Sequence, residues 1–238
     1  MSQPEIRIRE LEDISLEGGY LIDGFPSVGF SSAIATESMI HTSQFRQAGI
    51  IDSESFPPVS LVRDGKPNYP TRIFVNNDLR VGIFSSYLTI HDSLYRTVAG
   101  TMLDWARDHK IGLIVSSVAI KAADHYEGVM AASSTDSARE MLLKAGIKIL
   151  NQGTIPGIPG CLLNEGMLRG QDVAVILFHS AGSGPDFKAS AQLCNAMSKL
   201  VPGASCDIGL LQSEAEKAEK VIREAEEGAR HLKDGMYG

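Results

Sequence analysis

The chain has 238 residues, 43% hydrophobic and 21% charged, enough for one large domain that buries roughly 70–75% of its unfolded surface without a metal or disulfide staple. Its 29 acidic and 22 basic residues leave a formal charge of −7, and the absence of a basic block or an aromatic-and-basic stripe argues against nucleic acid as a partner. No apolar run approaches the ~18–20 residues of a membrane span.

Met1–Leu11 is charged and lacks the apolar core of a secretory signal. Cys161, Cys194 and Cys206 form an odd set without metal-type spacing, each beside apolar or small residues. They read as small core residues, and the expected setting is a reducing, cytoplasmic one.

In chain order, Tyr20–Asp23 is a short apolar run stopped by Gly24-Phe25-Pro26, and Val28 to Ile40 carries apolar residues at helical spacing. Gln47–Ile51 reads as a strand. Thr71–Val75 and Arg80–Phe84 flank the polar cluster Asn76-Asn77-Asp78, which predicts a β-hairpin. Leu94 to Trp105 is a predicted helix with Asp92 as its N-cap. Ile111–Val118 and Val173–Phe178 are continuous apolar runs, the pattern of strands buried on both faces.

Ser134 to Lys144 is a predicted helix capped by Ser134 or Thr135 and ended by Gly146; Ile147–Leu150 is a strand. The alternating Gly and Pro of Gln152 to Gly160 predict a shaped connection into a helix over Cys161–Leu168. Phe187–Leu200 is helical and closed by Pro202-Gly203. Together these elements predict a three-layer α/β domain over residues 1–210. It has a mixed, mostly parallel sheet with helices on both faces.

Catalytic grammar is missing. Gly24-Phe25-Pro26-Ser27-Val28-Gly29 sits between strand and helix, yet matches neither a Walker loop nor a dinucleotide fingerprint. It reads as a tight turn, with an anion at the helix N-terminus as the alternative. His179-Ser180-Ala181-Gly182-Ser183-Gly184, with Asp186 close by, does not fit the G-x-S-x-G elbow. Ser85-Ser86 has no base nearby in sequence. Asp124-His125-Tyr126-Glu127 lacks the second His of a metal site. No catalytic residue, metal or cofactor is expected.

Six motifs in order carry a resemblance. Phe56-Pro57-Pro58-Val59-Ser60, then Asp64-Gly65-Lys66-Pro67, then Pro70-Thr71-Arg72-Ile73-Phe74 form its centre. The Gly24 to Gly29 turn, Asp104-Trp105-Ala106, and Gly153 to Gly160 before Leu162-Leu163-Asn164-Glu165-Gly166 support it. Over roughly residues 15 to 210 the chain resembles the proteasome assembly chaperone 2 family. Ser27 and His179-Ser180-Ala181 depart from the family pattern, which expects glycine at the first and acidic residues at the second. The resemblance implies a three-layer α/β fold, a homo-oligomer, an archaeal source and a chaperone role with proteasome α-type subunits. A small-molecule enzyme on a nucleoside-phosphorylase-like or ligase-like scaffold is the alternative.

From Leu211 the pattern changes. Leu211, Ala215, Ala218, Ile222, Ala225, Ala229 and Leu232 fall at alternating spacings of 4 and 3, a heptad stripe that predicts an amphipathic helix over 211–234. So narrow and alanine-rich a stripe needs the body or a second copy to lie against. Gly235 then acts as a hinge. Met236-Tyr237-Gly238 resembles the hydrophobic-Tyr-any tail with which proteasome activators and some assembly chaperones dock between α-subunits of the core particle. The chain end offers a carboxylate, and the tyrosine a ring and a hydroxyl.

Overall fold

The computed structural model describes residues 5–26, 30–63, 65–120, 128–180 and 186–207, with single positions between 209 and 224. The first half holds β1 (Arg7–Glu10), β2 (Tyr20–Gly24), α1 (Ser31–Thr42), β3 (Arg46–Asp52), β4 (Leu61–Arg63), β5 (Lys66–Asn68), β6 (Thr71–Asn76), β7 (Val81–Ser86) and α2 (Tyr95–Asp108). The second half holds β8 (Leu113–Ile120), β9 (Met130–Ser133), α3 (Asp136–Lys144), β10 (Lys148–Ile149), α4 (Gly157–Arg169), β11 (Asp172–His179) and α5 (Phe187–Leu200).

Nine strands form one sheet in the order β1-β3-β6-β7-β2-β8-β11-β9-β10, and β4-β5 is a separate hairpin. The sheet is mixed, but the expectation of a mostly parallel one is corrected. Four pairings are parallel (β2-β7, β2-β8, β8-β11 and β9-β10) and four antiparallel. The β6-β7 hairpin and the pairing of β3 on β6 make one flank antiparallel: a tight turn reverses the chain between β6 and β7, and the connection from β3 to β6 carries the β4-β5 hairpin in place of a crossover helix.

Helices cover both faces. Alternate residues of the central strands divide between two cores: Ile22, Leu113, Val115, Ala174 and Ile176 face the side of α1, α3 and α5, while Leu21, Ile114, Val173 and Val175 face α2 and α4. This period-2 division of continuous apolar runs is what a sheet buried on both sides requires. The predicted three layers are present.

Helix ends follow local chemistry. Thr135 caps α3 by accepting from the Ala138 amide at 3.1 Å, and Gly146 follows the helix at φ 70°. The predicted Asp92 cap is corrected: a 3-10 turn over Asp92–Leu94 precedes α2, and His91 Nδ1 accepts from the Ser93 amide at 3.3 Å. α4 starts four residues before the predicted Cys161, because prolines at 156 and 159 fall at its cap and first turn, where no backbone N–H is needed.

α1 differs from the other helices. Ser31 to Ile40 are all buried, including Ser31, Ser32, Thr36, Glu37 and Ser38. It is enclosed by the sheet on one side and by α5 and the segment after it on another. A helix covered all round needs no single apolar stripe, and its polar residues must find partners inside.

The reading of the cysteines as separate core residues is corrected for two of them. Cys194 of α5 is joined to Cys206 in a disulfide, while Cys161 is free and half-buried. The chain turns after α5 at Pro202-Gly203, with Gly203 at φ 80°, and comes back beside its own helix. Twelve residues of separation carry no sign of that return.

Candidate functional site

A belt of buried polar side chains crosses β6, β7, β2 and β8, part of it beneath α1 and part on the opposite, α2 face of the sheet. Register sets it: Arg72 lies opposite Ser85, Ser85 opposite Gly24, and Asp23 opposite Phe84. The carboxyl ends of parallel strands are where open α/β sheets place their ligands, so the belt is the position to test for chemistry.

On the α2 side, Asp23 is 4% exposed. Its carboxylate accepts from the Ser116 hydroxyl at 2.6 Å and from the Phe25 amide at 3.1 Å. Burial pushes its pKa up to about 6, against the lowering effect of those two hydrogen bonds. The Phe25 bond makes Asp23 the organiser of the turn after β2. Gly24 is needed beside it: a Cβ there would lie 2.7 Å from Thr36 Oγ1 and 2.8 Å from the Phe84 carbonyl oxygen. α1 therefore approaches β2 closely. The predicted tight turn is present at Gly24-Phe25-Pro26; Ser27, Val28 and Gly29 lie outside the described residues.

On the α1 side, Glu37 is the hub. Its Oε1 accepts from the Tyr87 hydroxyl at 2.5 Å and from Ser85 Oγ at 3.4 Å, and Arg72 Nη2 lies 3.5 Å away. His41 Nε2 is 3.7 Å from Oε2. The Arg72 guanidinium is sandwiched by the rings of Phe74 and Tyr87, at 4.8 and 5.2 Å, contacts that stabilise a desolvated cation. Its Nε and Nη2 make no hydrogen bond. Ser32 and Ser117 share a bond of 2.8 Å between α1 and β8.

These groups were not singled out as a site by sequence. Ser85-Ser86, read as lacking a base, has Glu37 beside Ser85. Glu37 and Arg72 did carry a signal: each is a charge inside a stretch that is otherwise small or apolar. Chemically the belt is occupied by its own bonds. Asp23 is enclosed, and Glu37 is shared among Tyr87, Ser85 and Arg72. It ties α1 to the sheet.

Of the His179 to Gly184 loop, only His179 and Ser180 are described. The His179 ring nitrogens are buried without a hydrogen-bond partner among the described residues, and Asp186 is the N-cap of α5, accepting from the Ala189 amide at 2.9 Å. Asp124 to Glu127 lie outside the described residues, among which no group of three His, Cys, Asp or Glu side chains is arranged to hold a metal ion. Among them, too, no helix is long and apolar enough to cross a membrane.

Of the predicted C-terminal stripe, Leu211 is described and is 2% exposed, packed into the core on the α1 side. Described positions Ser213, Glu216, Lys220, Arg223 and Glu224 are exposed. Ala215, Ala218, Ile222, Ala225, Ala229 and Leu232, the hinge Gly235, and Met236, Tyr237 and Gly238 lie outside the described residues.

The profile of the PAC2 family matches residues 21–226. The chain belongs to the PAC2 family. The match runs from β2 through β11, takes in the five described helices, leaves β1 outside, and continues past Leu211. An uncharacterized protein of Methanocaldococcus jannaschii is 26% identical over 224 residues, 94% of this PAC2 chain and 91% of that one. Among solved structures, Pyrococcus furiosus PbaA, an archaeal homolog of proteasome-assembly chaperone, has a TM-score of 0.80 at 23% identity, covering 96% of this chain and 100% of that one. Pyrococcus furiosus PbaB, an archaeal proteasome activator, has a TM-score of 0.72 at 20% identity, covering 93% and 99%. At these identities the two structures show a shared fold.

Proposed function

We propose that this PAC2 protein is a non-enzymatic proteasome-binding protein, a homo-oligomer that docks Met236-Tyr237-Gly238 into pockets between α-subunits of the core particle. Membership of the PAC2 family carries the reading, and the structural relatives named as a chaperone homolog and a proteasome activator support it. In the proposed docking, the Tyr237 ring is buried, its hydroxyl and the terminal carboxylate form directional polar bonds, and Met236 fills the groove behind. The internally bonded belt around Glu37 and Asp23 supports a structural role for the sheet's carboxyl end.

One three-residue tail binds weakly; several presented by an oligomer gain roughly 10²–10⁴ in avidity. The heptad stripe from Leu211 to Leu232 is the proposed means of holding the tails in place, against the body or against a neighbouring copy.

The test is capture of purified core particle by full-length protein, by a form lacking Met236–Gly238, and by Tyr237→Ala, with oligomer mass followed by light scattering. Both variants are expected to keep their mass and lose the core particle. Undiminished capture by either removes the tail mechanism.

A further inference from the structure

The segment after α5, described at Val201–Asp207 and again at Gly209 and Leu211, is a strap laid across α1. Its Val201 and Ala204 are buried at 0% and 1% exposure, and Leu211 is buried farther along. Two of its polar attachments are open to solvent: Ser43 Oγ donates to the Gly203 carbonyl at 3.0 Å, and the Asp207 amide donates to Thr42 Oγ1 at 3.2 Å. Near the middle, Cys206 is bonded to Cys194 of α5, and its Sγ lies 3.6 Å from the Ala35 carbonyl oxygen. The strap leads directly into the part of the chain that carries the proposed docking tail.

The two sulfurs differ in access. Cys194 is 4% exposed, while Cys206 is partly exposed. An external thiolate reaches Cys206 first, so the sulfur expelled is that of Cys194.

We propose that Cys194 and Cys206 form a redox latch on the strap. When closed, it holds Val201–Asp207 on α1, so the chain toward the tail leaves from one fixed place. When opened, the strap lifts and that starting point is free to move. The chemistry balances with a small-molecule thiol couple as co-reactant. One thiolate attacks Cys206 Sγ and releases the Cys194 thiolate, which takes up a proton; a second thiol displaces the mixed disulfide. The protein gains two thiols and the couple is oxidised to its disulfide. Opening restores to the strap the chain freedom that a short closed loop removes.

The effect on docking rests on the tail reading above, because a pre-positioned tail binds with less ordering cost than a free one. The experiment separates the two. Hydrogen exchange of the strap amides is measured in the full-length protein, oxidised and then reduced with dithiothreitol, in a Cys161→Ser background that removes the third thiol. Cys194→Ser/Cys206→Ser serves as the permanently open form. Core-particle affinity is measured for each state, and for Tyr237→Ala.

Strap exchange is expected to rise roughly 100-fold on reduction. The double variant should match the reduced protein and ignore reductant, and core-particle affinity should fall several-fold whenever the latch is open. Strap exchange that is the same in oxidised and reduced protein overturns the latch. A redox-sensitive strap with redox-insensitive affinity overturns its coupling to docking. Should the strap respond while Tyr237→Ala binds as well as wild type, the tail reading fails and the latch stands.

Discussion

The Tyr87 hydroxyl donates to Glu37 Oε1 at 2.5 Å, joining the end of β7 to the middle of α1 where neither residue exceeds 3% exposure. Arg72 approaches the same oxygen from β6 at 3.5 Å. Helix α1 and the β6-β7 hairpin, from separate parts of the chain, therefore meet at one carboxylate. A charge so enclosed is tolerable only while its partners remain.

Removal of single partners is expected to reveal this. Tyr87→Phe deletes one hydroxyl and should cost about 1.5–3 kcal/mol, the range for a hydrogen bond to a charged group. Arg72→Met strands the Glu37 carboxylate and should cost about 3–5 kcal/mol. Adding Glu37→Gln to Arg72→Met should cost less than the sum of the two single changes, since the stranded charge disappears. Urea unfolding of wild type, the three single variants and the double variant measures these effects; strict additivity would show that the pair is not coupled.

Asp23 makes stability depend on pH in an uncommon direction. Its pKa is about 6 in the fold against 3.8 as the ordinary value. Between those values the unfolded chain has lost its proton while the folded protein still holds one. Stability is therefore greatest below 3.8 as far as this group is concerned, and falls as pH rises through about 6. The loss is on the order of 3 kcal/mol. Asp23→Asn keeps the shape and removes the titration. Its melting temperature relative to wild type should climb between pH 4.5 and 7.5; a difference that stays flat across that range refutes the assignment to Asp23.

Gly24 is expected to tolerate no side chain. Its Cβ would meet Thr36 Oγ1 and the Phe84 carbonyl at 2.7 and 2.8 Å, and one of those contacts is rigid backbone. Gly24→Ala should push α1 away from β2 at a cost of about 1–3 kcal/mol, the range for overpacking. Thermal unfolding checks the loss, and a wild-type melting point would mean that the helix shifts freely.

Much of the fold was legible one residue after another. The apolar runs at Ile111–Val118 and Val173–Phe178 became β8 and β11, and the polar cluster at Asn76–Asp78 became the turn between β6 and β7, since each rests on local spacing. The short strands β1, β9 and the β4-β5 hairpin were not anticipated. Arg7–Glu10 has one apolar residue, Ile8, and pairs along one edge of β3, so it is too short to display a hydrophobic period.

The candidate site was legible in part. Gly24 announced a turn by its position between an apolar run and a helix, but the reason for glycine there is Thr36, twelve places away. Glu37 and Arg72 stood out as charges among small and apolar neighbours; their meeting, and that of Cys194 with Cys206, depends on how β6, α1 and the strap are stacked.

The amino-acid order alone therefore determined the helices and the longer strands, because burial period and end-capping act over a few residues. It also determined which family pattern the chain follows. Only the tertiary structure decided that half the sheet pairings run antiparallel, that α1 is enclosed on all sides with its polar groups inward, and which cysteines are joined. These are distance relations between remote segments, and a local pattern holds no information about how the chain returns upon itself.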